Sequence, residues 1–192
     1  MTVMEGLDSV YEEAHKLYED GKRKEAFDRY LALAEEGFVD CQTFVGWMLF
    51  SGEGVKSDLI EARSWLERSS EKGDVEALYY LGKINIIEEK FESALACFKE
   101  SMAHSYLPAV YALGMMYKLG QGVERSPEKA YECFDKAGNK GHIFSQKEKA
   151  LLLIGGYYGI FSRLKGAWLF IRVLLTAFKL GGGDPHKESI RF

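Results

Sequence analysis

Residues 39–74 superimpose on residues 107–142 without a gap, and that offset of 68 limits the fold more than any other feature of the sequence. It aligns Gly46 with Gly114, Gly52 with Gly120, Gly54 with Gly122, Val55 with Val123, Ala62 with Ala130, Leu66 with Phe134, Lys72 with Lys140 and Gly73 with Gly141. Residues 75–106 form a shorter copy. There Ala77 and Gly82 precede Ala109 and Gly114 by 32, while Ala94, Phe98 and Ser105 precede Ala130, Phe134 and Gly141 by 36. The difference is a four-residue loop that the short copy lacks. Residues 7–38 fit the short form, with Ala14, Ala26, Tyr30 and Gly37 in equivalent places. Four copies (7–38, 39–74, 75–106, 107–142) thus alternate short and long. Repetition at this period predicts a solenoid, in which each unit completes the core of its neighbour.

Each copy reads as two helices. Apolar residues recur at helical spacing in the first, as in Ala77, Leu78, Leu81 and Ile84. The second opens on caps: Asp58 stands three residues before Glu61, and Ser126 precedes Pro127. It closes near Gly37, Gly73 or Gly141, where a left-handed residue ends a helix. Small residues (Gly46, Gly82, Gly114; Ala26, Ala62, Ala94, Ala130) let the paired helices approach, and Tyr30, Leu66, Phe98 and Phe134 fill the space between pairs. The expected fold is all-α: an alpha-alpha superhelix, a right-handed solenoid of antiparallel helix pairs. Residues 143–181 read as a degenerate fifth unit acting as an atypical C-terminal capping unit, with a tail at 182–192.

These residues resemble the Sel1-like repeat, a relative of the tetratricopeptide repeat. Ala109, Leu113, Gly114, Tyr117, Gly120, Gly122, Val123, Lys129, Ala130, Ala137 and Gly141 follow the family pattern closely, and Gly46, Gly52, Gly54, Val55, Ala62, Trp65 and Gly73 follow it well. The short copies look like plain tetratricopeptide repeats, with turns such as Gly21-Lys22-Arg23-Lys24-Glu25-Ala26. The resemblance implies a non-catalytic adaptor that grips a partner peptide or helix in a concave groove lined by first helices. It also permits a second role, a membrane-peripheral accessory component, as in bacterial cell-surface polysaccharide synthesis or export.

Carried over from the resemblance, the groove positions are Tyr11, His15 and Tyr18 in the first unit and Thr43, Trp47 and Phe50 in the second. Tyr79 and Lys83 follow in the third, and Tyr111, Met115 and Lys118 in the fourth. Aromatic side chains are favoured anchors of protein interfaces. Core filling between units is the competing reading for Trp47 and Phe50. Glu13 stands where the pattern wants an apolar residue.

Charge is split along the chain. Residues 1–144 carry 17 Lys/Arg and 26 Asp/Glu, whereas residues 145–192 carry 8 and 3. The formal net charge of −4 argues against general nucleic-acid binding. The segment 163–180, RLKGAWLFIRVLLTAFKL, contains no acid. In a helix, Lys165, Arg172 and Lys179 share one narrow stripe and the remaining arc is apolar, including Trp168. Three readings stand: a capping helix buried on the fourth repeat, a helix lying in an anionic membrane interface, or a contact with a second copy or partner. Arg172 at mid-segment speaks against a spanning helix.

Catalysis, metal and cofactors find no support. His15, His104, His142 and His186 lack metal-ligand spacing, and Cys41, Cys97 and Cys133 do not cluster. Three unclustered cysteines read as reduced thiols, no secretory signal is visible at the start and no segment offers 18 uninterrupted apolar residues, so a cytoplasmic protein is expected, peripheral to the membrane on the second reading. The loops Gly52-Glu53-Gly54 and Gly120-Gln121-Gly122 invite comparison with phosphate cradles, but helices flank both sides and the motif recurs at the repeat period, so they read as structural turns.

Overall fold

The computed structural model describes residues 3–156 and 158–179. Among them are ten helices and no strand. They divide into two compact units, residues 1–106 and 107–192. The first holds α1 (Val3–Glu19), α2 (Arg23–Glu35), α3 (Val39–Ser51), α4 (Leu59–Ser70), α5 (Val75–Ile87) and α6 (Phe91–Ala103). The second holds α7 (Leu107–Leu119), α8 (Pro127–Asn139), α9 (Ile143–Ile154) and α10 (Ile160–Lys179). Within each unit, consecutive helices pack on one another.

The caps form as the sequence directs. Asp58 accepts the backbone N–H groups of Ile60 and Glu61, each at 2.9 Å. Glu61 does not complete a capping box there; its carboxylate takes the indole N–H of Trp65 at 3.4 Å. Ser126 accepts from Lys129 with Pro127 in the first turn. After α2, α4 and α8 the chain turns at Gly37, Gly73 and Gly141 with φ of 100°, 91° and 99°. Ser105 takes the same place after α6 at φ 65°, a conformation that costs a residue bearing a Cβ.

Close helix approach explains the small residues. A Cβ on Gly46 would lie 2.6 Å from Leu66 Cγ, one on Gly114 2.6 Å from Phe134 Cε1, and one on Gly82 2.7 Å from Phe98 Cδ1. Phe98 and Phe134 are fully buried and Leu66 is 0% exposed, so each glycine admits one large side chain from its partner helix. The long loop is also structural: a Cβ on Gly54 would strike the Arg23 backbone at 2.6 Å, and Arg23 Nε donates to Glu53 at 2.6 Å. Buried polar groups recur in register as well. Ser101 Oγ donates to the Val75 carbonyl at 2.8 Å, and Ser69 Oγ lies 3.3 Å from the Val39 carbonyl. Gln42 reaches back to the Ala34 carbonyl at 3.0 Å, and Gln146 likewise to Gly138 at 2.8 Å. Glu13, the misfit in the first copy, pairs with Arg29 at 3.3 Å.

The C-terminal helix starts earlier than the expected residue 163, at Ile160. It packs on α9 through Gly166, where a Cβ would meet Ile154 N at 2.8 Å and the Ala150 carbonyl oxygen at 2.9 Å. Ser162 donates to the Leu153 carbonyl at 3.3 Å. The cap expected here is not confirmed. A terminal cap turns a polar face outward, whereas Phe161, Leu164 and Trp168 are 84%, 69% and 59% exposed. The expected tail at 182–192 lies outside the described residues.

Candidate interaction surface

In the first unit, α1, α3 and α5 carry clustered rings. Tyr18 meets Phe44 edge-on at 5.2 Å and Trp47 at 6.0 Å, with the Arg23 guanidinium 3.7 Å above its own ring. Phe50 lies 5.9 Å from Tyr80, which contacts Tyr79 at 5.1 Å. The Lys83 ammonium stands 5.0 Å over Phe50, 5.6 Å over Tyr79 and 5.9 Å over Tyr80. Burial lowers its pKa, and among the described residues no carboxylate forms an ion pair with it. Such a cation is held by ring quadrupoles rather than by opposite charge.

The positions carried over from the family fall into three groups. Tyr11, Tyr18, Phe50, Tyr79 and Lys83 are half-buried, with one side in the core and one toward solvent. His15 is half-buried too, and its Nε2 lies 3.6 Å from Glu19. Trp47 is only 8% exposed and supports the rings from beneath. Thr43 is 6% exposed, and it is occupied structurally: its hydroxyl donates to Asp74 at 2.7 Å and lies 2.6 Å from Ser69 Oγ. In the second unit, Tyr111 packs among Phe134, His142 and Phe144 at 5.7, 5.2 and 6.4 Å. Met115 packs against the cluster of Phe134 and Leu152. Lys118 Nζ is paired with the buried Glu148 at 2.5 Å, so its charge is already matched.

Two groups escaped the sequence reading. Tyr80, 3% exposed, is the floor on which Lys83 and Phe50 rest. Glu76, beside it on α5, is pushed up to about 7 by burial and then by the charge of Asp74. The folded chain therefore holds this proton where the unfolded chain, near 4.5, has released it. The contribution of Glu76 to stability is largest below about pH 4.5, falls as pH rises to about 7 and is level above. Asp40, raised by its own burial and by Asp74, adds to the trend. Glu76→Gln should flatten the slope; urea midpoints at the two ends of that window measure it, and an unchanged slope counts against the assignment.

The thiols are poor nucleophiles. Burial pushes Cys41 up to about 12 and Cys133 up to about 11, and raises Cys97. Among the described residues no group of three His, Cys, Asp or Glu is placed to hold a metal ion.

On α10, Lys165 and Arg172 are exposed, and the Arg172 guanidinium lies 5.1 Å over the Trp168 ring. The Lys179 side chain lies outside the described residues. Among those residues no helix is long and apolar enough to cross a membrane.

Comparison with known proteins bears on the fold. The Sel1 repeat model matches residues 39–74 and 107–142. An uncharacterised protein of Neisseria meningitidis serogroup B is 33% identical over 127 residues, which are 65% of this chain and 26% of that protein. The chain thus spans about a quarter of that relative's length. A Sel1 repeat protein from Oxalobacter formigenes superimposes with a TM-score of 0.70 at 22% identity, over 86% of this chain and 72% of that one. A protective antigen of uropathogenic Escherichia coli with an SLR fold gives 0.64 at 22% identity, over 81% of this chain and 34% of that one. The chain therefore carries Sel1 repeats at residues 39–74 and 107–142 and has the all-helical fold of the Sel1-like repeat proteins.

Proposed function

We propose that the chain is a non-catalytic adaptor that holds a segment of a partner protein on the first-helix face of residues 1–106. The Sel1-like repeat fold typically mediates protein–protein association. The observation that carries the reading is Lys83, a cation seated on Phe50, Tyr79 and Tyr80 with no ion-pairing carboxylate among the described residues. Half-buried rings offer apolar area already fixed in place, which keeps the ordering cost of binding small. The unmatched ammonium favours a segment bearing a carboxylate, since a charge-assisted bond in a partly dry site exceeds a neutral one.

The test has two stages. A photo-crosslinking residue at position 79 identifies the partner, with the exposed position 99 on α6 as control. Affinity of the purified partner is then measured for Lys83→Glu and Tyr79→Ser. Each variant should weaken binding by about 2 kcal/mol, near thirtyfold, with the fold retained by circular dichroism. Equal crosslinking from positions 79 and 99, or unchanged affinity, rejects the face.

A further inference from the structure

The outward side of α10 is the largest feature that the adaptor reading leaves unused. Ile160, Phe161, Leu164, Trp168, Ile171 and Leu175 are 72%, 84%, 69%, 59%, 56% and 58% exposed. At 3.6 residues per turn they fall within an arc of about 100°, opposite Gly166 and Val173 on the packed side. Arg163 borders the arc on one edge, and Lys165 and Arg172 border it on the other. No acidic residue occurs from 149 to 179, whereas residues 1–144 carry an excess of Asp and Glu.

We infer that this face seats α10 in the interfacial layer of a membrane carrying anionic lipid. Three features select that occupant. The surface is a convex ridge along a single helix, which a fluid acyl layer accepts without a matching groove. Cations flank the apolar arc on both edges, at the level where lipid phosphates lie when such a helix sinks below the headgroups. Trp168, under the Arg172 guanidinium, pairs an apolar ring with a polar edge, as interfacial anchors do. In an ordinary interfacial helix a polar face points to water; here α9 covers that side instead. A second copy fits poorly. Two-fold packing of α10 on itself would bring Arg163, Lys165 and Arg172 against the same cations, with no acid on the helix to pair them. The inference is independent of the first-helix face.

The experiment uses the full chain and vesicles of phosphatidylcholine with or without phosphatidylglycerol. Of the three tryptophans, Trp47 and Trp65 are 8% and 7% exposed, so changes in emission report Trp168. The chain should sediment with phosphatidylglycerol vesicles, shift its emission to the blue and be quenched by brominated lipid. Phosphatidylcholine alone should bind weakly, and added salt should release the protein. Leu164→Glu with Ile171→Glu should abolish the shift. Arg163→Glu, Lys165→Glu and Arg172→Glu together should lower partition into anionic vesicles about tenfold or more. No quenching of the unaltered chain by brominated lipid overturns the inference, whatever the variants do. So does equal partition into both vesicle types. Light scattering that shows a dimer, split by Leu164→Glu in a chain that ignores vesicles, assigns the face to a second copy and overturns it too.

Discussion

Phe134→Ala lowers the unfolding free energy of the second unit by about 4 kcal/mol. The side chain is fully buried, lies against Gly114 of α7 and contacts Tyr111, so its loss removes apolar transfer energy and leaves a cavity the backbones cannot close. Urea denaturation followed by circular dichroism measures it; a loss below about 1 kcal/mol would mean the pair collapses onto the gap. A second variant separates packing from mere apolarity. Gly114→Ala pushes a methyl into the ring that Phe134 presents, and on its own should cost about 2 kcal/mol. Combined with Phe134→Leu, it should cost at least about 1 kcal/mol less than the two changes summed, because the smaller side chain vacates the space the methyl needs. Strict additivity would show that the two residues do not share one site.

Gly166→Val separates α10 from α9. The added Cβ meets backbone, Ile154 N at 2.8 Å and the Ala150 oxygen at 2.9 Å, as well as Leu153 Cβ at 2.7 Å. A side chain can swing aside, but two helix backbones can only move apart. The expected loss is about 3 kcal/mol, at the upper end for overpacking. Hydrogen exchange checks the location: protection should fall along α9 and α10 and hold in α1 to α6. Uniform loss over the chain, or none, contradicts the picture.

The helix pairs were legible because close packing leaves a mark that repeats. Where a glycine faces Leu66, Phe98 or Phe134, only one size combination fits, so offsets of 68, 32 and 36 expose the architecture directly. The fifth pair hid its mark by exchanging it. Ala150 stands on the first helix where Gly114 would be, and the glycine, Gly166, moves to the second helix, 36 beyond Ala130. A comparison that seeks glycine against glycine passes over it. The first-helix face was legible only in outline. The family resemblance points to Tyr79 and Lys83, but whether a ring is floor or surface depends on neighbours from other helices, which is why Trp47 and Thr43 turned inward. Glu76 gave no sign, since an acid in the first turn of a helix is ordinary and only Asp74 and the surrounding rings make it unusual. On α10, apolar residues nearly all round the helix do not tell which side is covered. The small residues Ser162 and Gly166 decide it, and the bulky ones are left outside.

The glutamines that reach back to the preceding helix, Gln42 to Ala34 and Gln146 to Gly138, each travel with the hairpin they begin. A hairpin copied in the gene brings its own fastening and asks nothing new of the one before it. Chains built this way can lengthen or shorten in whole hairpins, each new one bringing the amide that docks it on the carbonyl of the helix before it.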